Sequence, residues 1–181
     1  LVFISPFGKY AYRRVRYWGI VFMWMMITLC GIRLRIHGTI PKDGPFIVMP
    51  NHQSALDVVI VFIAIRFPFF FISKKTYQYI PIIGWSMMLQ KHLFIERTNP
   101  RQAHIIMEQA AERLQGGDSI LVFPEGTRSK TGELGPFKRG SFKLAFDTGT
   151  PILPCRIENV VELFPKNSIL FKPGIMHITF G

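Results

Sequence analysis

Acidic side chains are scarce in this sequence: 11 Asp and Glu stand against 22 Lys and Arg over 181 residues, a net charge of +11. Charge of either sign is also sparse, at 18% of residues against 49% hydrophobic, and the mean hydropathy is positive. A basic excess attracts phosphate, whether in nucleic acid, anionic lipid head groups or an acidic carrier protein. The apolar content favours lipid. Neither a basic reading helix nor aromatics set among basic residues is present in the manner of nucleic-acid modules, so no nucleic-acid partner is expected. Cysteine is nearly absent. Cys30 and Cys155 have no CxxC spacing and read as buried free thiols, compatible with a reducing compartment. No repeat of 20–50 residues exists, which excludes solenoids and propellers. The lack of a GxSxG elbow leaves a covalent serine hydrolase unsupported. Without a P-loop, an HExxH or a Cys/His cluster, no metal and no permanently bound cofactor are expected.

The longest charge-free run of the N-terminal region is also short. Residues 9–18 (KYAYRRVRYW) form a basic, aromatic collar before 14 uncharged residues at 19–32 (GIVFMWMMITLCGI). Crossing a bilayer takes roughly 20 apolar residues. The expectation is a membrane-associating helix over residues 1–32 that dips into the bilayer or re-enters, as half of a hairpin. Arg13, Arg14 and Arg16 would snorkel, with Tyr12, Tyr17 and Trp18 at the interface. The alternative is a buried core helix. No small-residue cleavage site follows, which disfavours a signal peptide. The chain opens at Leu1 and stops at Gly181 after a strand-like run, so segments are expected to be missing at both ends.

From residue 33 the texture alternates. Strands are expected at 33–37, 45–49, 69–73, 92–96, 119–123 and 151–157, with paired strands within 168–180. Helices are expected at 54–65, 100–114 and near 141–147. Residues 80–89 read as a stretch punctuated by Pro and Gly. Strands alternating with helices indicate an α/β domain over 33–181, a single largely parallel sheet flanked by helices.

Three polar clusters each lie just beyond an apolar strand: 51–57 (NHQSALD), Glu96-Arg97 and 124–129 (PEGTRS). Ligand sites in open α/β sheets gather at the carboxyl ends of strands, so the clusters point to one shared site. Positions five apart on a helix are about 140° apart, so His52 and Asp57 meet only if His52 is on the loop and Asp57 in the first turn. Ser54 would then be the N-cap and Asp57 its capping-box partner. The same residues serve equally as a plain helix cap and a hydrogen-bonded loop histidine. In the functional reading Asp57 fixes the imidazole tautomer and His52 is a general base. Arg128 can grip a phosphate, Gly126 lets backbone approach a ligand, and Glu125 orders the loop or pairs with an Arg. Positions 137–140 (FKRG) add positive charge. His104 and Glu108 read as a solvated helix face, while His37, His92 and His177 stand alone and read as structural. A base beside a phosphate grip, with no nucleophile, implies direct attack by a bound hydroxyl on an activated acyl group.

At these residues the sequence resembles the glycerolipid acyltransferases, specifically the bacterial 1-acylglycerol-3-phosphate acyltransferases. Residues 51–57 look like their His-x4-Asp block. Lys74-Lys75 through Ile80-Pro81 and Gly84 to Glu96-Arg97 is similar to the second block. Phe123 to Ser129 resembles the third, and Thr150-Pro151-Ile152-Leu153-Pro154 the fourth. The blocks come in the family's order over residues 51–154. The resemblance implies that His52 deprotonates an acceptor hydroxyl, oriented by Asp57, and that the hydroxyl attacks the thioester of acyl-CoA or acyl-carrier protein. The acceptor would be lysophosphatidic acid, its phosphate held by Arg97, Arg128 and Lys74. Glu125, Gly126 and Thr127 would shape the loop, and Pro151, Ile152, Leu153 and Pro154 would line the acyl path. It further implies an anionic membrane surface as partner, at the cytoplasmic face of the bacterial inner membrane. Same-fold alternatives acylate glycerol-3-phosphate, another lysophospholipid or a lyso-aminolipid; a non-catalytic lipid binder is a different class. Two departures stand out: Glu96 replaces the usual Asp, and the family's C-terminal extension is lacking.

Overall fold

The computed structural model describes residues 6–181 except 43, 82, 97, 98, 130 and 166–169. Its strands are β1 (Ile32–His37), β2 (Ile47–Pro50), β3 (Phe69–Lys74), β4 (Leu93–Ile95), β5 (Ser119–Leu121), β6 (Ile152–Glu158) and β7 (Gly174–Phe180). The helices are α1 (Pro6–Leu29), α2 (Leu56–Ala64), α3 (Ile83–Leu89), α4 (Pro100–Gln115), α5 (Arg139–Thr148) and α6 (Val160–Leu163), with a 3₁₀ turn at Lys75–Tyr79. The strands form one sheet in the order β1-β7-β6-β2-β5-β3-β4. From β6 to β4 every pairing is parallel. Strand β7 joins β6 antiparallel and carries β1 parallel to itself. The expected α/β architecture, a mostly parallel sheet flanked by helices, is present.

Burial along the strands follows from what covers each face. In β2, Val48 points into one core with α2, and Ile47 and Met49 into a second with α4 and α5. In β3, Phe69 and Phe71 fill the first core and Phe70 the second. Such doubly covered strands need continuous apolar runs. Strand β6 is covered on one side only, and its residues alternate: Leu153, Cys155 and Ile157 are buried while Ile152, Pro154 and Arg156 are exposed. Helix α4 starts as its sequence dictates. Asn99 accepts the Gln102 N–H at 3.1 Å and Pro100 takes the first turn, where no N–H is needed.

Three expectations are corrected. Residues 80–89 are not an irregular stretch, because α3 occupies Ile83–Leu89. Gly84 permits it: a Cβ there would stand 2.3 Å from the Gln78 carbonyl oxygen and 2.7 Å from that of Tyr77. Among the described residues of 168–180 one strand forms, not two. Pro173 offers no N–H, and pairing begins at Gly174.

The third correction concerns Arg16 in the N-terminal helix, whose apolar run was expected to be too short to cross a bilayer. Residues 19–29 continue one helix from Pro6, and no described helix is long and apolar enough to cross a membrane. Helix α1 lies on α2 and β1, with Ile27 wholly buried. Arg16 does not snorkel. Its Nη2 donates to the Ile65 carbonyl at 2.7 Å, and its guanidinium sits 4.5 and 4.8 Å from the Phe62 and Phe69 ring centres. A planar cation with a long stem satisfies itself in such an aromatic wall. Tyr17, Trp18, Phe22 and Leu29 remain exposed on the other side. The side chains of Tyr12 and Arg13 lie outside those described; Arg14 is exposed.

Candidate active site

Strands β2 and β5 are parallel neighbours, so their carboxyl ends emerge side by side. The segment after β2 brings Asn51, His52 and Gln53; the segment after β5 brings Phe123 to Ser129. These two loops interlock. The Asn51 side chain pairs with both backbone groups of Ile157, donating to its oxygen at 2.9 Å and accepting from its N–H at 2.7 Å. It extends the β2–β6 ladder past Pro50, where ordinary pairing stops. The His52 N–H donates to Glu125 Oε1 at 2.7 Å, and the His52 carbonyl accepts from Ser129 N–H at 2.8 Å. Gln53 Nε2 donates to the Gly132 carbonyl.

The imidazole is held as firmly as its backbone. Nδ1 lies 2.9 Å from Asp57 Oδ2, and the ring stacks on Phe123 at 3.9 Å between centres, 18° from parallel. Asp57 sits in the first turn of α2, wholly buried, as the spacing required. The same Oδ2 accepts the N–H groups of Gln53 (2.6 Å) and Ser54 (2.7 Å). A carboxylate oxygen taking two backbone donors acts as an acceptor, so Nδ1 carries the hydrogen and Nε2 keeps its lone pair. Nε2 has no partner among the described residues, and the side chain is 16% exposed. The capping box is shifted. Helix α2 begins at Leu56 after Ala55, so Ser54 is not the N-cap, although its hydroxyl takes the Leu56 N–H at 3.3 Å. The carboxylate binds back to the Ser54 N–H as a capping partner does while also orienting His52. Cap and orienter are one residue.

Glu125 is buried and orders the loop, as anticipated, but through backbone: besides His52 it accepts the Gly135 N–H at 3.1 Å. Gly126 has φ +71, and a Cβ there would meet the Lys138 side chain at 2.9–3.0 Å. Thr127 and Arg128 are exposed. Gln53, Ser54, Ala55, Arg128, Ser129 and Phe164 line a small recess at the first turn of α2. Lys74 is exposed at the end of β3, on the same sheet edge but two strands from β2, roughly 10 Å at the usual strand spacing. Glu96 follows β4, one strand further out. Arg97 lies outside the described residues. The described parts of the three polar clusters therefore share an edge, and the contacts seen there join 51–57 to 124–129.

Below this edge an open groove of about 720 Å³ runs along the uncovered face of β6, bounded by Pro124, Phe137 and Phe142. Ile152 and Pro154 line it. Leu153 does not: strand alternation turns it into the opposite core, 3% exposed. Pro151 lies ahead of β6, its carbonyl accepting the Ile47 N–H at 3.0 Å. Cys155 also borders the groove, where burial pushes its thiol up to about 12, too high for a neutral-pH nucleophile.

The remaining histidines divide. His92 is buried, accepts the Phe71 N–H at 3.1 Å on Nδ1, and is held down to about 3 by burial and by the Arg113 and Arg16 charges. His37 and His177 do not stand alone: adjacent strands stack them, with ring nitrogens 3.0 Å apart. His104 and Glu108 form an exposed pair. Among described residues no group of three or more His, Cys, Asp or Glu could hold a metal. Reasoning from sequence named Asn51, Gln53 and Phe123 only as members of the 51–57 and 123–129 blocks and gave none of them a role of its own. Asn51 and Gln53 flank His52, which is a usable signal; Phe123 is indistinguishable from any strand aromatic.

A family model described as Acyltransferase matches residues 32–158. The chain belongs to the acyltransferase family. Both interlocked loops fall inside the matched region. The chain is 37% identical over 127 residues to a chloroplastic 1-acyl-sn-glycerol-3-phosphate acyltransferase, BAT2, of Brassica napus, covering 70% of this chain and 37% of that protein. It is 36% identical over 149 residues to a 1-acyl-sn-glycerol-3-phosphate acyltransferase of Borreliella burgdorferi, covering 81% and 59%. The chain thus spans well under two thirds of the length of these two relatives. The crystal structure of the 1-acyl-sn-glycerophosphate acyltransferase PlsC from Thermotoga maritima superposes with TM-score 0.77 at 28% identity, covering 100% of this chain and 72% of that one.

Proposed function

We propose that this acyltransferase-family protein moves a fatty acyl group from an acyl thioester to the sn-2 hydroxyl of 1-acylglycerol-3-phosphate, producing phosphatidic acid. The observation that carries the reading is His52, tied through Nδ1 to buried Asp57 and presenting an unpartnered Nε2 at the sheet edge. In this mechanism Nε2 takes the acceptor hydroxyl proton as its oxygen attacks the thioester carbonyl. The tetrahedral intermediate then collapses, the C–S bond breaks, and the imidazolium returns the proton to the departing thiolate. Asp57 stabilises the transient imidazolium without leaving its three donors. No covalent acyl-enzyme is required.

Arg128, beside the recess at the first turn of α2, and Lys74 at the end of β3 are assigned to the acceptor phosphate, with Arg97 as third member. The groove along β6 is assigned to acyl chain through Ile152 and Pro154, its apolar floor and aromatic rim suiting a hydrocarbon. The donor is acyl-CoA or acyl-carrier protein; a basic surface suits either acidic carrier. Helix α1 supports association with the cytoplasmic face of an inner membrane, because Trp18, Phe22 and Leu29 are 60–80% exposed.

The deciding experiment is a turnover assay of the purified protein in detergent, crossing lysophosphatidate, glycerol-3-phosphate and other lysophospholipids with both thioester donors. Preferential acylation of lysophosphatidate is expected. Absence of transfer to every acceptor would overturn the enzymatic reading, and preference for another lysolipid would reassign the acceptor.

A further inference from the structure

The 3₁₀ turn and α3 follow β3 directly, so they begin at the sheet edge that carries His52 and the 124–129 loop. Across this short segment Tyr77, Tyr79, Ile80, Trp85, Met88 and Leu89 are all exposed; Tyr79 and Leu89 reach 72% and Trp85 60%. An apolar concentration of this kind on a surface marks an interaction site. It is also rigidly presented. Gly84 sets α3 against the carbonyls of the preceding turn, and Gly84 N–H donates to the Ile80 oxygen at 2.7 Å.

Charge identifies the partner. Between residues 58 and 95 there is no Asp or Glu, while Lys74, Lys75 and Lys91 lie at the two ends of the segment. Tyr and Trp mixed with Lys, without acids, is the composition of side chains that settle at a membrane–water boundary and face anionic head groups. Protein interfaces tend instead to be depleted in Lys.

We propose that the segment 75–89 is a second bilayer-contacting surface, separate from α1, which seats the sheet edge on an anionic membrane. The inference rests on the lipid-acceptor reading of the site. A lysolipid leaving the bilayer at this edge enters beside Lys74, within reach of His52 without crossing bulk water. Exposed aromatics next to the site are otherwise a liability for a protein in water; against a bilayer they become an anchor.

The test uses the full chain and the triple variant Tyr79→Ser, Trp85→Ser, Leu89→Ser, at positions assigned neither to the catalytic pair nor to the phosphate grip. Binding is measured to vesicles of phosphatidylcholine with and without phosphatidylglycerol, and transfer is measured on lysophosphatidate in those vesicles or dispersed in detergent. Expected are a tenfold or greater loss of anionic-vesicle binding, a parallel loss of vesicle turnover, and detergent turnover within twofold of the parent. Unchanged vesicle binding overturns the proposal, as does a changed oligomeric state with binding retained, which would make the patch a self-association surface. A second arm leaves the patch intact. In a Trp18→Phe, Trp24→Phe background, Trp85 emission should shift to the blue on adding anionic vesicles, and an unmoved spectrum rejects the contact. This arm decides the matter if the triple variant loses detergent turnover through misfolding. If the parent acylates nothing in detergent, the enzymatic reading fails while both binding arms still report on the surface.

Discussion

Residues 1–95 and 96–181 carry the same number of Lys and Arg, eleven each, but two and nine Asp and Glu respectively. Of the two acids in the first stretch, Asp57 is wholly buried. The second stretch is neutralised locally. Among the described residues, the pairs His104–Glu108, Arg113–Asp118, Lys143–Asp147 and Arg156–Glu158 all lie there. The first stretch also holds the exposed aromatics of α1 and α3. Equal numbers of cations thus have opposite meanings. Arg113, Lys143 and Arg156 of the second stretch pair with acids of the chain, whereas in the first Arg16 turns inward and Lys74 and Lys75 are in none of the ion pairs found among the described residues.

The site is built where the two stretches meet, and its removal gives the largest expected effect. His52 and Asp57 come from the first; Phe123, Glu125 and Ser129 from the second. His52→Ala should lower kcat by about 10² to 10⁴, the usual worth of a positioned base, with little change in lysophosphatidate binding. Steady-state kinetics beside a direct binding measurement checks both halves of this statement. A variant turning over normally would remove general-base catalysis from the account.

Next in size is a stability effect centred on His92 of the first stretch. The His92 pKa falls from 6.5 to about 3 on folding, chiefly through burial and secondarily through Arg113 and Arg16. A depressed folded pKa means that the unfolded chain takes the proton first. Stability is therefore full above pH 6.5 and declines as pH falls from there towards 3, by about 3 kcal/mol at pH 4. Denaturant unfolding at pH 7 and pH 4 measures the loss, and His92→Gln should flatten it. If that variant retained the full acid sensitivity, His92 would not be its source.

The division between legible and illegible elements follows the same physics. Apolar runs covered on both faces, as at β2 and β3, and the capped, periodic α4 could be read because each residue's neighbours along the chain reveal its burial. The His52–Asp57 contact was legible because loop and first turn were the one geometry that let five-apart residues meet. Helix α3 was not, since Gly84 reads as a break and acts as a close contact. Nor could Arg16 be foreseen as an inward-facing cation, because Phe62 and Phe69 reach it from far along the chain. Phe123 and the Glu125–His52 bond likewise depend on β2 and β5 being neighbours, which is a matter of sheet order and not of local pattern.

Arg128→Ala comes third. Two parallel hydrogen bonds from a guanidinium to phosphate are charge-assisted, so their loss should raise KM for lysophosphatidate by roughly 10- to 100-fold, with kcat changed much less. Initial rates over a range of acceptor concentrations would show it. An unaltered KM would move the phosphate seat away from the recess at α2 and toward Lys74.

The smallest effects test the charge comparison most directly. Lys143→Gln and Lys75→Gln each remove one formal positive charge. Lys143 is paired with Asp147 at 2.9 Å on the exposed side of α5, so its loss should change stability by under about 0.5 kcal/mol and leave anionic-vesicle binding within error. Lys75 opens the 3₁₀ turn that ends at Tyr79, in the acid-free stretch, and is in none of the ion pairs found among the described residues. A basic side chain near an anionic surface contributes about 1 kcal/mol, so Lys75→Gln should weaken vesicle binding roughly fivefold at physiological salt and much less at 1 M. Equal losses from both variants would mean that net charge governs attachment. Unequal losses in the stated direction mean that attachment depends on where the acids are missing.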